Sequence, residues 1–294
     1  YWRAEALRHT GKLDEAREQA EIARKAFGDL QDRVREAHAL RLMGHLASDQ
    51  GQAAQGRASV LEAIGQFEIL REAKGHAQAL VVLGEIDYLL GEHATARSEL
   101  TEAARRCESV GDALGKAQCY ILLAMIETAV GGYVRARNLL VEARAAFDAI
   151  GYRLGMAQCD AVLGHADHRA NEMDEARART LAARIAFREL QNPRGEAACE
   201  RLLAMIAIDT ADYAAANAHG TVALKIYERL QDPWGELEAR LLLAQVALAR
   251  DDESAEALVR ACGAIALDEA GMKTLEALGE PAFLVVPNAF HRLD

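Results

Sequence analysis

The sequence repeats with a period of 40 residues, and this period restricts the possible folds more than any other feature of the chain. Four series of positions keep the same step without an insertion, three of them built mainly from small residues and one from large residues. Their members are Gly75, Gly115, Gly155, Gly195 and Gly235; Gly44, Gly84 and Gly164, with Ala124, Ala204 and Ala244; Gly11, Gly51, Gly91 and Gly131, with Asn171, Ala211 and Asp251; and Phe27, Phe67, Cys107, Phe147, Phe187 and Tyr227. A fixed period of this length is typical of repeat architectures, in which one supersecondary unit stacks on the next.

One unit is visible in residues 115–150, where two segments with apolar residues at helical spacing flank a Gly-Gly break. The series that starts at Gly11 predicts the end of the first helix of each unit, because a left-handed residue after a helix favours glycine and then asparagine. The first helix of the next unit should begin at a capping side chain. In two units this cap precedes a proline, which is tolerated in the first helical turn. The capping residues are Asp112, Asn192 and Asp232, and the prolines are Pro193 and Pro233.

The series that includes Gly44 and Gly84 lies inside a predicted helix, where glycine costs about 1 kcal/mol relative to alanine. We expect a close approach of the paired helix to offset this cost, because that helix carries small residues as well. The small residues in question are Ala96, Ala136, Ala176 and Ala216. The large residues of the fourth series should fill the space between stacked helix pairs.

A family resemblance rests on Leu83-Gly84, Gly91, Ala96, and Phe67 or Phe147, with equivalents in the other units. On these residues the chain resembles tetratricopeptide repeats (TPRs) of the 40-residue variety, from residue 1 to about residue 265. The resemblance implies an all-α fold, a right-handed superhelical solenoid of about seven antiparallel helix pairs that serves as a binding scaffold. The tryptophan near the start of the family's first helix and its late proline are mostly absent.

On this register, residues 1–30 form the end of one first helix, a turn and a second helix. Five complete hairpins follow, and a last pair begins at Pro233. Their predicted ranges are 33–70, 73–110, 113–150, 153–190 and 193–230. Since Tyr1 aligns with the middle of a first helix, we expect the array to start upstream of this residue.

The repeat pattern ends near residue 267, which predicts a helical array over 1–267 and a non-repeat tail over 268–294. Two prolines in the tail bracket a run of residues with β propensity at 283–286, which cannot continue the array. A solenoid end needs a cap with a polar outer face. The tail therefore either covers the last hairpin or begins a further domain that is truncated here.

The formal net charge of −11 disfavours a nucleic-acid-binding role, because neutralising phosphates requires a basic face. An acidic surface suits a basic partner, and it also serves solubility alone. No apolar run approaches about 18 residues, so no membrane span is expected. Cys119, Cys159 and Cys199 share one register position, at which other units carry alanine. This pattern indicates packing of small residues and favours a reduced, cytoplasmic compartment.

In TPR proteins, ligands mostly lie in the concave groove lined by first helices, and the resemblance places a set of polar residues there. The candidate partner-binding residues are Gln78, Glu85, Tyr88, Gln118, Gln158, His165, His168, Arg169 and Arg201. The three glutamines share one register, so they either form a ladder of amides for a peptide backbone or simply solvate a helix face. The histidines and arginines form the most cationic spot of an acidic chain and would receive a carboxylate of the partner.

His165 and His168 are three residues apart on one helix face, and with Asp209 they could in principle bind a metal. A polar groove surface is the better interpretation, since no other histidine of an adjacent unit lies at ligand spacing. We therefore expect no metal and no cofactor. The sequence also lacks the GxSxG, GxxxxGKS/T and GxGxxG motifs of hydrolases and nucleotide-binding enzymes, so no enzymatic activity is expected.

These features favour a protein-interaction scaffold that binds a peptide or protein partner in its groove. By resemblance, it would be the regulatory or sensory repeat region of a bacterial signalling protein. Two alternatives remain open at this point. The array could be a homodimerisation module that associates through an edge or through the tail, or it could be a sensor of small ligands or short peptides.

Overall fold

The structure is a computed structural model that describes residues 1–9 and 11–250. These residues form thirteen α-helices joined by short turns, which confirms the predicted all-α repeat fold. Contacts between residues group the described part of the chain into two compact units, one over Tyr1–Ala170 and one that begins at Asn171. The predicted tail at 268–294, the end of the array near residue 267 and the second helix of the last pair lie outside the described residues.

Helices that follow each other in the chain pack against each other within each unit. The first unit contains α1 (Trp2–His9), α2 (Leu13–Asp29), α3 (Arg33–Asp49), α4 (Ala53–Leu70), α5 (Ala73–Leu89), α6 (His93–Ser109), α7 (Ala113–Ala129), α8 (Tyr133–Ala149) and α9 (Arg153–Arg169). The second unit contains α10 (Met173–Glu189), α11 (Pro193–Asp209), α12 (Tyr213–Leu230) and α13 (Pro233–Ala249). These bounds agree with the predicted hairpin ranges. Among the described helices, none is both long and apolar enough to cross a membrane.

Left-handed residues recur every 20 positions and separate the helices. The series predicted to end each first helix does so, with φ of +79° at Gly11, +80° at Gly51 and +83° at Gly131. Asn171 and Ala211 continue this series with φ of +65° and +59°. A second series, in which only two of the six residues are glycine, follows each second helix. It consists of Gln31, Arg71, Gly111, Gly151, Gln191 and Gln231.

Side-chain caps begin the first helices where they were predicted. Asp112, Asn192 and Asp232 each accept a hydrogen bond from the backbone N–H three residues on, at 3.0, 2.7 and 3.0 Å. Pro193 and Pro233 occupy the first turn of their helices. Each cap satisfies one of the donors that a helix N-terminus leaves without an intrahelical partner.

The large residues of one hairpin pack against the glycine that begins the next. A Cβ at Gly155 would lie 2.6 Å from Cγ of Phe147, and a Cβ at Gly75 would lie 2.4 Å from Cε1 of Phe67. The other pairs of this kind are Cys107 with Gly115, Phe187 with Gly195, and Tyr227 with Gly235. All five large residues are buried. The prediction that this series fills the space between hairpins is confirmed for these five members, whereas Phe27 is only partly buried.

Small residues inside the first helices allow the paired helix to come close. A Cβ at Gly44 would lie 2.8 Å from the backbone oxygen of Gly56 on the paired helix. At Gly84 the space is filled by Leu100, whose Cγ would lie 2.5 Å from such a Cβ. The four alanines predicted at this contact have no exposed surface. Close packing therefore offsets the local cost of glycine, as expected.

A repeated ion pair joins neighbouring hairpins of the first unit. An arginine near the start of one second helix reaches a carboxylate near the end of the next first helix, 30 residues on. The pairs are Arg57 Nε–Asp87 Oδ1 at 2.7 Å, Arg97 Nη2–Glu127 Oε1 at 3.1 Å and Arg137 Nε–Asp167 Oδ1 at 2.9 Å. The carboxylate side chains are only 1%, 7% and 1% exposed, so each one depends on a positive charge beside it. For Glu127 a second arginine contributes, since Arg135 Nη1 lies 3.5 Å from Oε1. We call these three pairs the arginine–carboxylate ladder.

Candidate partner-binding face

The first helices of successive pairs lie side by side in the first unit. α3 contacts α5, α5 contacts α7 and α7 contacts α9, whereas the second helices of successive pairs contact one another less. Residues 40 apart on these first helices therefore lie next to each other on one face, which we call the first-helix face. The residues that define it are His38, Gln78, Gln118 and Gln158; Arg41, Val81, Ile121 and Ala161; and His45, Glu85, Met125 and His165.

At α1, α3 and α5 this face carries charged side chains that pair with each other. Arg8 Nη1 lies 3.1 Å from both Asp49 Oδ2 and His45 Nε2, and His45 Nε2 lies 3.1 Å from Glu85 Oε2. One ring nitrogen either donates or accepts, so only one of the two His45 contacts is a hydrogen bond in a given tautomer. Burial would raise the pKa of Glu85, but His45 and Arg8 outweigh burial and hold this pKa below its ordinary value. The charges of this part of the face are satisfied within the protein.

Two further polar contacts lie on the same helices. Arg41 Nη2 donates to the Tyr1 hydroxyl at 2.8 Å, and this hydroxyl donates to Glu5 Oε1 at 3.0 Å. Burial raises the pKa of Tyr1, although the positive charge of Arg41 opposes the shift. On α5, the half-buried Tyr88 lies with its ring centroid 5.5 Å from that of His93. Of these side chains, Tyr88 was predicted to bind a partner, and its ring instead contacts His93.

The three glutamines of one register differ in what they contact. Gln78 Nε2 donates to Oδ2 of Asp112 at 2.9 Å, and Asp112 also caps the next first helix. Gln118 and Gln158 are exposed, and neither has a hydrogen-bonding partner within residues 1–9 and 11–250. As far as the described residues go, the register therefore offers two free amides, and the third amide is bound within the protein.

Around the two free amides the face is apolar. Ile121, Met125 and Ala161 lie on the same face of α7 and α9; Ile121 is 8% exposed and the other two are partly exposed. Leu114, one helical turn before Gln118, is 38% exposed. This part of the face offers apolar contact area and hydrogen-bonding groups without a fixed charge.

The predicted cationic residues lie in both units. In the first unit, at the C-terminal end of α9, Arg169 is exposed and His165 is partly exposed, whereas His168 is only 8% exposed. His168 thus presents little surface to a ligand. In the second unit, Arg201 on α11 has its Nε 3.3 Å from Glu238 Oε2. Within the described part of the chain, no three His, Cys, Asp or Glu side chains are grouped so that they could hold a metal ion.

The sequence matches no protein-family model and no curated protein. Solved structures resemble it in fold. A Rap conjugation gene regulator of a plasmid, in complex with a Phr peptide, has a TM-score of 0.74 and 14% identity, over 95% of this chain and 75% of its own. A Rap protein complexed with competence and sporulation factor has a TM-score of 0.71 and 14% identity, over 99% of this chain and 84% of its own.

The apo form of the quorum sensor NprR from B. thuringiensis is similar as well. Its TM-score is 0.61 at 12% identity, over 93% of this chain and 78% of its own. Identities this low establish a fold and leave the activity to be argued from the residues themselves. By its helix pairs, its 40-residue register and these structural likenesses, this chain is a TPR-like helical repeat protein.

Proposed function

We propose that this chain is a regulatory binding module whose first-helix face holds a peptide or an extended segment of a protein partner. The observation that carries the proposal is the pair of free amides, Gln118 and Gln158, at one register of two neighbouring helices. An amide side chain donates and accepts, so each glutamine can pair with a backbone N–H and C=O of the partner. Such pairing recognises an extended backbone with little regard to its side chains.

The surroundings of the two glutamines favour an uncharged contact segment. Ile121, Met125 and Ala161 provide apolar surface between them, and the carboxylates on α3 and α5 are already paired with arginine or histidine. A charged partner side chain would lose water there without gaining an opposite charge. We therefore place the apolar part of the partner over α7 and α9.

The similar structures support a peptide-holding role in signalling. Two of them are complexes, one with a Phr peptide and one with competence and sporulation factor, and the third is named a quorum sensor. Shared fold alone does not transfer their ligands to this chain. The free amides indicate where on the first-helix face the ligand would bind. The similar structures suggest that this ligand is a peptide.

The test is selection from a phage-displayed library of linear peptides on the wild-type protein, followed by binding of the selected peptides to variants. We expect Gln118→Ala with Gln158→Ala to weaken binding at least tenfold. Gln55→Ala, an exposed glutamine on the second helix α4, should leave binding unchanged. Failure to select any peptide, or equal binding to the double variant, would contradict the proposal. A mass by light scattering that is twice that of the chain would instead favour self-association.

A further inference from the structure

Two charged side chains on α5, α7 and α9 have no partner within the described residues, and both are cations. They are Lys74 on α5 and Arg169 on α9, and both are exposed. Every other Asp, Glu, Lys and Arg side chain of these three helices has a partner. The pairs are Glu85–His45, Asp87–Arg57, Lys116–Glu108, Glu127–Arg97, Asp160–Arg144 and Asp167–Arg137, and Arg153 is engaged as well.

Both cations lie on the first-helix face, on opposite sides of its free amides. Lys74 has the position on α5 that Leu114 has on α7, one helical turn before the register of the glutamines. Arg169 is the last residue of α9 and lies about three turns beyond Gln158. A bound segment that crosses Gln118 and Gln158 can therefore reach a positive charge with each of its ends.

No carboxylate of these helices competes for the two cations. The residues at the register of Arg169 on α5 and α7 are Leu89 and Ala129, and those at the register of Lys74 on α7 and α9 are Leu114 and Leu154. The carboxylates of α5, α7 and α9 are already paired with arginine or histidine. A carboxylate of a partner would therefore meet a cation that these helices have not neutralised.

The sign of these two charges is opposite to that of the whole chain, whose formal net charge is −11. The net charge acts at long range and would attract a basic partner. The fit of a bound ligand depends instead on the charges within the contact surface that have no partner of their own. On this face those charges are positive, so the ligand that fits is acidic where it meets them.

We propose that the ligand of the first-helix face is a peptide segment with an acidic group at each end of an apolar centre, an inference that rests on the proposed function. One acidic group pairs with Lys74, the centre lies over Gln118 and Gln158, and the other acidic group pairs with Arg169. The guanidinium of Arg169 can hold a carboxylate through two parallel hydrogen bonds, whereas the ammonium of Lys74 acts as a point charge. The amides bind the backbone of the segment, and the two cations select its sequence.

The positions of the two cations set the length of the segment between the acidic groups. Lys74 and Gln158 lie on helices that are two helix spacings apart, which is about 16–20 Å. Gln158 and Arg169 are separated by about 16 Å along the axis of α9. An extended chain covers this path, roughly 35 Å in all, with about ten residues. The two acidic groups should therefore stand about ten positions apart.

The test uses two displayed peptide pools that share a central segment of about eight apolar and uncharged residues. One pool carries a pair of glutamates at each end, and the other carries a pair of lysines. We expect the wild-type protein to select peptides from the glutamate pool, with binding that weakens as salt is raised. Equal selection from both pools, or preference for the lysine pool, with binding that still depends on Gln118 and Gln158, would overturn this inference and leave the proposed function standing. Selection from neither pool would contradict both.

Charge reversal assigns the effect to the two cations. Lys74→Glu with Arg169→Glu should weaken binding of the glutamate-pool peptides by about tenfold or more. The same variant should bind lysine-pool peptides, which also shows that it is folded. Arg24→Glu with Lys25→Glu makes an equal change in net charge at exposed positions of α2 that have no partner among the described residues. This control should weaken binding by less than about threefold, and an equal loss in both variants would refute the inference.

Discussion

Phe147 occupies the space that a side chain at Gly155 would need: a Cβ there would lie 2.6 Å from the ring Cγ and 2.7 Å from Cδ1. The ring has no exposed surface and is held on its other sides by the core of its hairpin. The glycine is therefore required for packing between hairpins and not for an unusual backbone torsion angle.

Gly155→Ala should destabilise the protein by about 1–3 kcal/mol, because overpacking outweighs the better helix propensity of alanine. The matched control is Gly65→Ala in α4, where a Cβ would meet no atom within 4 Å. That change should stabilise the protein by about 0.5–1 kcal/mol. Urea unfolding of the two variants measures both effects. Equal stabilisation by both would show that Phe147 can move aside.

Arg137→Ala should lower the free energy of unfolding by about 2–3 kcal/mol, because it leaves the carboxylate of Asp167 buried without its arginine. This loss of stability is smaller than the loss expected for a fully buried ion pair, since 30% of the Arg137 side chain is exposed. Arg17, at the same register, contacts Gln50 at 3.4 Å, and its side chain is 39% exposed. Arg17→Ala should cost less than about 0.5 kcal/mol. Thermal unfolding compares the two, and similar losses would argue against the ladder as a stabilising contact.

The ion pairs of Glu85 should make the stability of the protein depend on pH in the acidic range. Burial opposes its ionisation, but His45 and Arg8 hold its pKa below the ordinary 4.5. The stability that ionised Glu85 contributes is therefore present above about pH 4.5. It is lost as the pH falls through the pKa of Glu85 in the folded protein, which is lower than 4.5. Glu85→Gln should be less stable than the wild type by about 1 kcal/mol at pH 7, with a smaller difference at pH 4. Urea midpoints at the two pH values measure this, and a constant difference would contradict it.

The buried cysteines should resist alkylation in the folded protein. Burial raises the pKa of Cys159 and Cys199 to about 12, so almost no thiolate is present at pH 8. Cys107 and Cys119 have no exposed surface either. In a Cys262→Ser variant, mass spectrometry should find no modification by iodoacetamide in buffer and four modified cysteines in urea. Rapid modification of Cys159 in buffer would indicate that its hairpin opens.

Much of the fold could be predicted because it depends on local residue types repeated at one period. The turn at Gly51, the cap at Asp232 and the packing of Phe67 each follow from a residue preference within one unit. Contacts in a repeat array reach only the neighbouring unit, so a correct assignment for one unit holds for the next. The second series of left-handed turns was missed because Gln31 and Arg71 are not residue types that mark such a backbone.

The candidate site was harder to predict, because it depends on which side chains find partners inside the protein. Gln78 and Gln118 share a register, yet only Gln78 can reach an aspartate cap on the next hairpin. The arginine series that contains Arg57 is visible in the sequence, but its acidic partners stand on another hairpin and alternate between aspartate and glutamate. Such pairings become evident only when the relative placement of two hairpins is known.

The regular spacing of the left-handed residues bears on how such a chain changes in length over evolutionary time. Duplication or loss of a gene segment that encodes 40 residues moves every later turn, cap and glycine by one whole hairpin, so each unit meets the same neighbour surface as before. Insertion of a single codon within a helix instead rotates the following residues by about 100° and turns the apolar side of that helix away from its partner. The hairpin is therefore the step in which a chain of this kind can grow or shrink.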